Sequence, residues 1–149
     1  MKKLIVEYWT PLLIWLAAMF FFGTDFMSSG ETSRFIVPVL TFIFPALSPG
    51  EISLWHGVVR KFAHIAEYFI LAMLLYRSLK FENRDPVDAR LRTIVFVVLV
   101  ALTDELHQGF TASRTSSLVD MGYDGLGGVW ALWLITTYEG RYLRPHPVL

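Results

Sequence analysis

Apolar positions in this chain fall into long runs, broken by single polar residues rather than alternating with them. Four runs stand out. Residues 4–22 are interrupted only by Glu7, Thr10 and Pro11. Residues 62–79 carry His64 and Glu67. Residues 91–106 have a dense aliphatic centre at 94–102, and residues 118–138 carry Asp120 and Asp124 near their start. A helix crosses the hydrocarbon core of a bilayer in about 20 residues, and each run has that length or nearly so. The pattern predicts an all-α polytopic membrane protein with four transmembrane helices in a single domain over 1–149. A fifth run, 35–47, is shorter and contains Pro38 and Pro45; it reads as a short interfacial or re-entrant segment between helices 1 and 2. The polar stretch 81–90, with Asn83 and Pro86, reads as a connection.

Composition narrows the class. Hydrophobic residues make up 54% and charged residues 17% of the 149, whereas soluble domains are about one quarter charged. The 13 basic and 13 acidic residues balance, which gives no electrostatic reason to expect a nucleic-acid partner. Cysteine is absent, which excludes disulfides, thiol chemistry and cysteine metal sites. Trp9, Trp15, Trp55, Trp130 and Trp133 suit packing and interfacial belts. The start, Met1-Lys2-Lys3 followed by apolar residues with no clean small-residue cleavage site, reads as a retained first helix. With four spans, nine basic residues fall on one side and Arg34, Arg60, Lys61 and Arg114 on the other, which favours both termini in the cytoplasm.

Orientation then sets depth, at about 1.5 Å per helical residue. Glu67 falls about 8 Å below the outer boundary at Phe62, and Asp124 about 9 Å below Leu118. Asp104 lies about 20 Å along a core about 30 Å thick, so helix 3 reaches the far side only if Asp104, Glu105, His107 and Gln108 belong to it. Three helices thus bring ionisable groups to one level in the outer leaflet. Charges there are expensive against lipid and should face one another or a water-filled cavity. The spacing agrees: His64, Glu67, Tyr68 and Leu71 share a helix face, as do Asp104, His107 and Gln108, and Asp120 and Asp124. Gly122, Gly125 and Gly128 would let a neighbouring helix come close. Glu7 reads as interfacial, His56 as a loop histidine and His146 as part of the tail.

These residues allow several chemistries. His64, Glu67, Asp104 and His107, as i, i+3 pairs on facing helices, are candidate ligands for a divalent metal whose bound water could attack an ester or phosphoryl group. Without metal, His64 with Glu67, or His107 with Asp104, could each make an oriented imidazole for acid–base chemistry. Lys61, Tyr68, Glu105, Gln108, Arg114, Asp120 and Asp124 are candidate substrate-binding residues. The bases Arg60, Lys61 and Arg114 suit a phosphate or carboxylate headgroup such as that of a membrane lipid or lipid-linked envelope precursor. The competing class is a non-enzymatic small subunit of a larger membrane complex, or a homo-oligomer, whose polar cluster locks helices together.

The string Arg60-Lys61-Phe62-Ala63-His64-Ile65-Ala66-Glu67-Tyr68 and the run Thr103-Asp104-Glu105-Leu106-His107-Gln108-Gly109-Phe110, followed by Arg114, Asp120, Asp124 and Gly127, resemble the two signatures of VanZ-like bacterial membrane proteins. Many such proteins carry Asn at the position of Asp124. The resemblance covers nearly the whole chain. It implies a bacterial cytoplasmic (inner) membrane location, a cell-envelope role and a link to tolerance of the glycopeptide teicoplanin. It implies a fold and a site rather than a reaction.

Overall fold

The computed structural model describes residues 2–24, 28–83, 85–109 and 118–142; for Lys2, Lys3, Leu4, Asn83, Gln108, Leu118 and Tyr142 it describes the backbone alone. These residues form five helices and no strand: α1 (Lys2–Phe22), α2 (Ser29–Ile43), α3 (Pro49–Asn83), α4 (Pro86–Gly109) and α5 (Leu118–Tyr142). The all-helical expectation is met. Among the described residues, Ile5–Phe22 is the one stretch long and apolar enough to cross a membrane by length and composition alone.

Three boundaries differ from the sequence expectation, and polar capping explains them. The segment expected at 35–47 begins earlier, at Ser29. Ser28 caps it, its Oγ accepting from the Glu31 N–H at 3.5 Å. The helix expected over 62–79 starts at Pro49. Ser48 and Glu51 form a capping box there: the Ser48 N–H donates to Glu51 Oε2 at 2.8 Å, and the Glu51 N–H donates to Ser48 Oγ at 3.4 Å. Pro49 suits the first helical position, where its missing N–H is not needed. These hydrogen bonds hold the Glu51 carboxyl below the usual carboxylate range. The resulting α3 has 35 residues and is about 50 Å long. Helix α3 runs to Asn83 and α4 begins at Pro86, so most of the connection expected over 81–90 is helical. Asp85 opens α4 by accepting from the Val87 N–H at 2.9 Å.

His56, expected in a loop, is buried in the outer part of α3, with Nε2 3.3 Å from Thr32 Oγ1 of α2.

Helix α3 is the hub. It packs on α1, α2, α4 and α5, while α4 also packs on α5. The core is the seam between them: Tyr68, Leu71, Ala72 and Leu75 of α3 meet Leu12, Val97, Ala101 and Ala131. The outward faces are apolar too. On α4, Leu91, Val95, Val98, Leu99 and Leu102 are exposed; on α5, Leu126, Val129, Trp130, Trp133 and Leu134 are exposed. Apolar surface on this scale calls for a non-aqueous partner.

Helix α1 carries Pro11 in its interior. Proline has no N–H, so the carbonyl of Glu7 loses its helical donor. Arg77 of α3 supplies one, donating to Glu7 O at 3.3 Å while its guanidinium sits over the Tyr8 ring, and Ser78 donates to Tyr8 O at 2.8 Å. The break in α1 is thereby answered by α3.

At the same end, Glu139 of α5 gathers three donors: Tyr76 O–H at 2.7 Å, Arg90 at 2.6 Å, and Lys80. Removing its charge leaves two bases without a counter-ion in a partly dry setting. Glu139→Gln is expected to destabilise the protein by about 2 kcal/mol. Equilibrium unfolding in mixed micelles measures it, and an unmoved midpoint would show that these contacts add nothing.

Candidate functional site

The site is assembled by close helix contact. Gly127 of α5 touches the α3 backbone so tightly that a Cβ there would lie 2.2 Å from Ile65 O. Gly128 faces Val97 of α4. Of the three glycines expected to admit a neighbour, Gly128 does so, whereas Gly122 and Gly125 face open space. The intimate contact falls instead on Gly127, one turn from Asp124. It brings Asp124 to His64.

His64 Nδ1 lies 3.1 Å from Asp124 Oδ1, with side chains 15% and 1% exposed. With Asp124 as a carboxylate its oxygen accepts, so Nδ1 donates across the pair and Nε2 is the ring nitrogen outside this hydrogen bond. This is an oriented imidazole joining α3 to α5. The second carboxylate oxygen of Asp124 is buried without a hydrogen-bond partner among the described residues. On the other side of α3, Trp15 of α1 donates from Nε1 to Glu67 O at 3.0 Å. Trp15, expected as a belt or packing residue, thus pins α1 beside the site.

His64, Glu67 and Asp104 line one cavity of about 220 Å³, together with Arg60 and with Thr32 of α2. Arg60 donates to Thr32 Oγ1 at 3.2 Å. Asp104 also lines a second cavity, of about 370 Å³, with Tyr68 and His107. Gly23, just past α1, covers both of these α4 side chains. A Cβ at Gly23 would lie 2.8 Å from Asp104 Oδ1 and 3.3 Å from His107 Nδ1. The His107 ring stacks on Phe20 of α1, with centroids 4.7 Å apart. Asp104, Glu105 and His107 all belong to α4.

The remaining candidates lie around this centre. Lys61 sits over the Tyr123 ring at 4.9 Å. Glu105 is half-buried one residue beyond Asp104 and so about 100° around the helix. Asp120 is half-buried one turn before Asp124. The backbone of Gln108 lies in α4, and Arg114 falls outside the described residues. The proposed metal ligands divide between the two cavities, with Asp104 common to both. Among the described residues no group of three or more His, Asp or Glu side chains is placed to hold a metal ion.

Gly23, Thr32 and Trp15 were not expected as site residues. Nothing in local spacing marks them, because each acts through a partner at least 24 positions away or on another helix.

The VanZ/LLP1 family model matches residues 8–139, from α1 into the last turn of α5. The chain belongs to the VanZ/LLP1 family. The match includes all four helices that carry the polar groups, so both cavities lie within the family domain. Comparison with curated proteins and with solved structures returns no match.

Proposed function

We propose that this VanZ/LLP1 protein spans the bilayer four times, through α1, α3, α4 and α5, with both termini cytoplasmic. In this reading it recognises a cell-envelope lipid or lipid-linked precursor from the outer leaflet, and the His64 imidazole is the base for its chemical modification. The apolar outer faces of α1, α4 and α5 support the spans, and the excess of Lys and Arg at the Glu139 end supports the orientation. Helix α2 then lies along the outer boundary, covering the site.

One observation carries the function. A buried His–Asp pair borders a cavity whose wall also holds Glu67, Asp104 and Arg60. Intramembrane ionisable groups are costly and mark working sites. In this arrangement Asp124 orients His64, Nε2 takes a proton from the reacting group, and Arg60 supplies positive charge for a headgroup oxygen.

The test is a panel of His64→Ala, Glu67→Gln and Asp104→Asn, expressed in a glycopeptide-sensitive host. Each is expected to insert and fold, and to return teicoplanin tolerance to the level of the empty vector. Tolerance retained in all three, with normal amounts of protein, defeats the proposal. A second reading is favoured by the same pair: it bridges α3 and α5, and could serve as a lock in a small subunit of a larger complex. That reading expects the panel to lose folded protein rather than activity.

A further inference from the structure

We infer that the cleft between α1 and α4 is a slot for one hydrocarbon chain of a membrane lipid, entered sideways from the bilayer. Tyr68 and His107 read the oxygen-bearing group at the head of that chain. The inference rests on the proposed lipid-recognising site and adds to it the route, the chain and the reading residues.

The first support is a buried donor with nothing to bond. The Tyr68 side chain is fully buried, yet its hydroxyl has no hydrogen-bond partner among the described residues, and it lines the 370 Å³ cavity. A protein seldom buries a hydroxyl without a partner, because the group loses water and gains nothing. His107 Nδ1 is in the same position and lines the same cavity. Two buried polar atoms from different helices thus face one space that already includes Asp104.

The second support is the shape of that space. Helices α1 and α4 both lean on α3 and meet where Phe20 stacks on His107, but they share no extended packing. Below that contact, Leu16 and Met19 face Phe96, Leu99 and Val100 across the cleft. Phe20 and Leu99 at its rim are exposed, so the cleft opens outward along the apolar face of α1. The cleft is narrow, walled by apolar side chains and open along one side, which suits a flexible hydrocarbon chain. Water has little to hold it along such a wall.

Asp104 lines both cavities and so marks the junction. A lipid in the slot places its first oxygens against the Tyr68 O–H and passes its headgroup into the space bounded by Arg60, Glu67 and His64. An acyl ester and a polyprenyl phosphate both have this chemistry, a hydrocarbon chain ending in an ester oxygen.

The full chain is reconstituted in phosphatidylcholine vesicles carrying one of two photoreactive probes: a phosphatidylethanolamine with a diazirine on its acyl chain, or a diazirine-labelled polyprenyl phosphate. Labelling is expected on cleft residues of α1 and α4. Val100→Trp is expected to cut it about tenfold, whereas Leu126→Trp on the outer face of α5 leaves it unchanged. Whichever probe labels more strongly names the source of the chain. Tyr68→Phe supplies a second readout that does not depend on filling the cleft. In detergent stripped of lipid it matches wild type in Tm or exceeds it. On adding back the labelling lipid, it is expected to lose most of the rise in Tm that wild type shows. Labelling spread evenly over the lipid-facing helices, or an equal lipid-induced rise in Tyr68→Phe, overturns the inference. If Val100→Trp does not fold, Leu99→Phe takes its place under the same criterion. None of these readouts uses teicoplanin tolerance. A cleft that labels in a protein whose His64, Glu67 and Asp104 variants keep tolerance defeats only the proposed function. An unlabelled cleft with a sensitive panel defeats only the slot.

Discussion

Asp124→Leu is expected to destabilise the protein by about 3 kcal/mol, while Asp124→Asn changes stability by less than about 1 kcal/mol. The difference follows from what each leaves behind. Asp124 is fully buried and its Oδ1 lies in hydrogen-bond contact with His64 Nδ1 at 3.1 Å. Leucine removes the acceptor and strands an imidazole that is 15% exposed. Asparagine keeps an oxygen in the same place, and its NH₂ replaces an Oδ2 that has no partner. The double variant His64→Phe, Asp124→Leu replaces both members by apolar groups and should recover much of the loss. The expected coupling is about 2 kcal/mol, as for buried contacting pairs. Reversible unfolding in mixed micelles of wild type, His64→Phe, Asp124→Leu and the double variant measures the coupling, and Asp124→Asn is unfolded alongside them. The same series separates site from lock. A lock restored by apolar packing restores whatever the protein does, whereas a working imidazole stays lost in the double variant even though the fold returns. Full teicoplanin tolerance in that double variant would exclude His64 as the base.

The positions of the helices follow closely from the apolar runs. Helix α5 begins at Leu118, where the fourth run begins, and α4 extends far enough to include Asp104 and His107. The starts of α2 and α3 were misplaced although the signals were present. Ser28 with Glu31, and Ser48 with Glu51, have the spacing of capping boxes, but the residues after them are mixed in polarity and do not register as apolar runs. The burial of His56 is hidden for the same reason, since it depends on α3 reaching back over α2. The face of His64, Glu67 and Tyr68 was legible because it lies within one helix and obeys its period. The pairing of His64 with Asp124 of α5, rather than with Glu67 of its own helix, is not. It depends on the relative height of two helices 60 residues apart in sequence, which periodicity does not encode. The Glu139 cluster escaped for a related reason: Lys80 and Arg90 were counted as charges on one side of the membrane, and their shared partner lies on a third helix.

Gly127→Ala is expected to be the most damaging single-methyl change in the chain, at about 3 kcal/mol or more. The added carbon would lie 2.2 Å from Ile65 O, 3.0 Å from Phe69 N and 3.1 Å from Ile65 C. All three are backbone atoms of α3, so no rotamer change relieves the clash and the two helices must separate. Overpacking commonly costs about 1–3 kcal/mol when side chains can adjust, and here none can. Separation also stretches the His64–Asp124 hydrogen bond, because Asp124 sits one turn from Gly127 on the same helix. The neighbouring glycines are internal controls. Gly128→Ala meets the side chain of Val97 at 2.9 Å, which can shift, and should cost about 1 kcal/mol. Gly122→Ala and Gly125→Ala meet nothing within 4 Å and should gain up to about 1 kcal/mol from the better helix propensity of alanine. The expected ranking, with Gly127 worst, Gly128 intermediate and Gly122 and Gly125 neutral or improved, reports the depth of contact between α5 and its neighbours. Equal tolerance of alanine at Gly127 and Gly125 would mean that α5 does not press against α3 at Ile65. The register that brings Asp124 to His64 would then have to be abandoned.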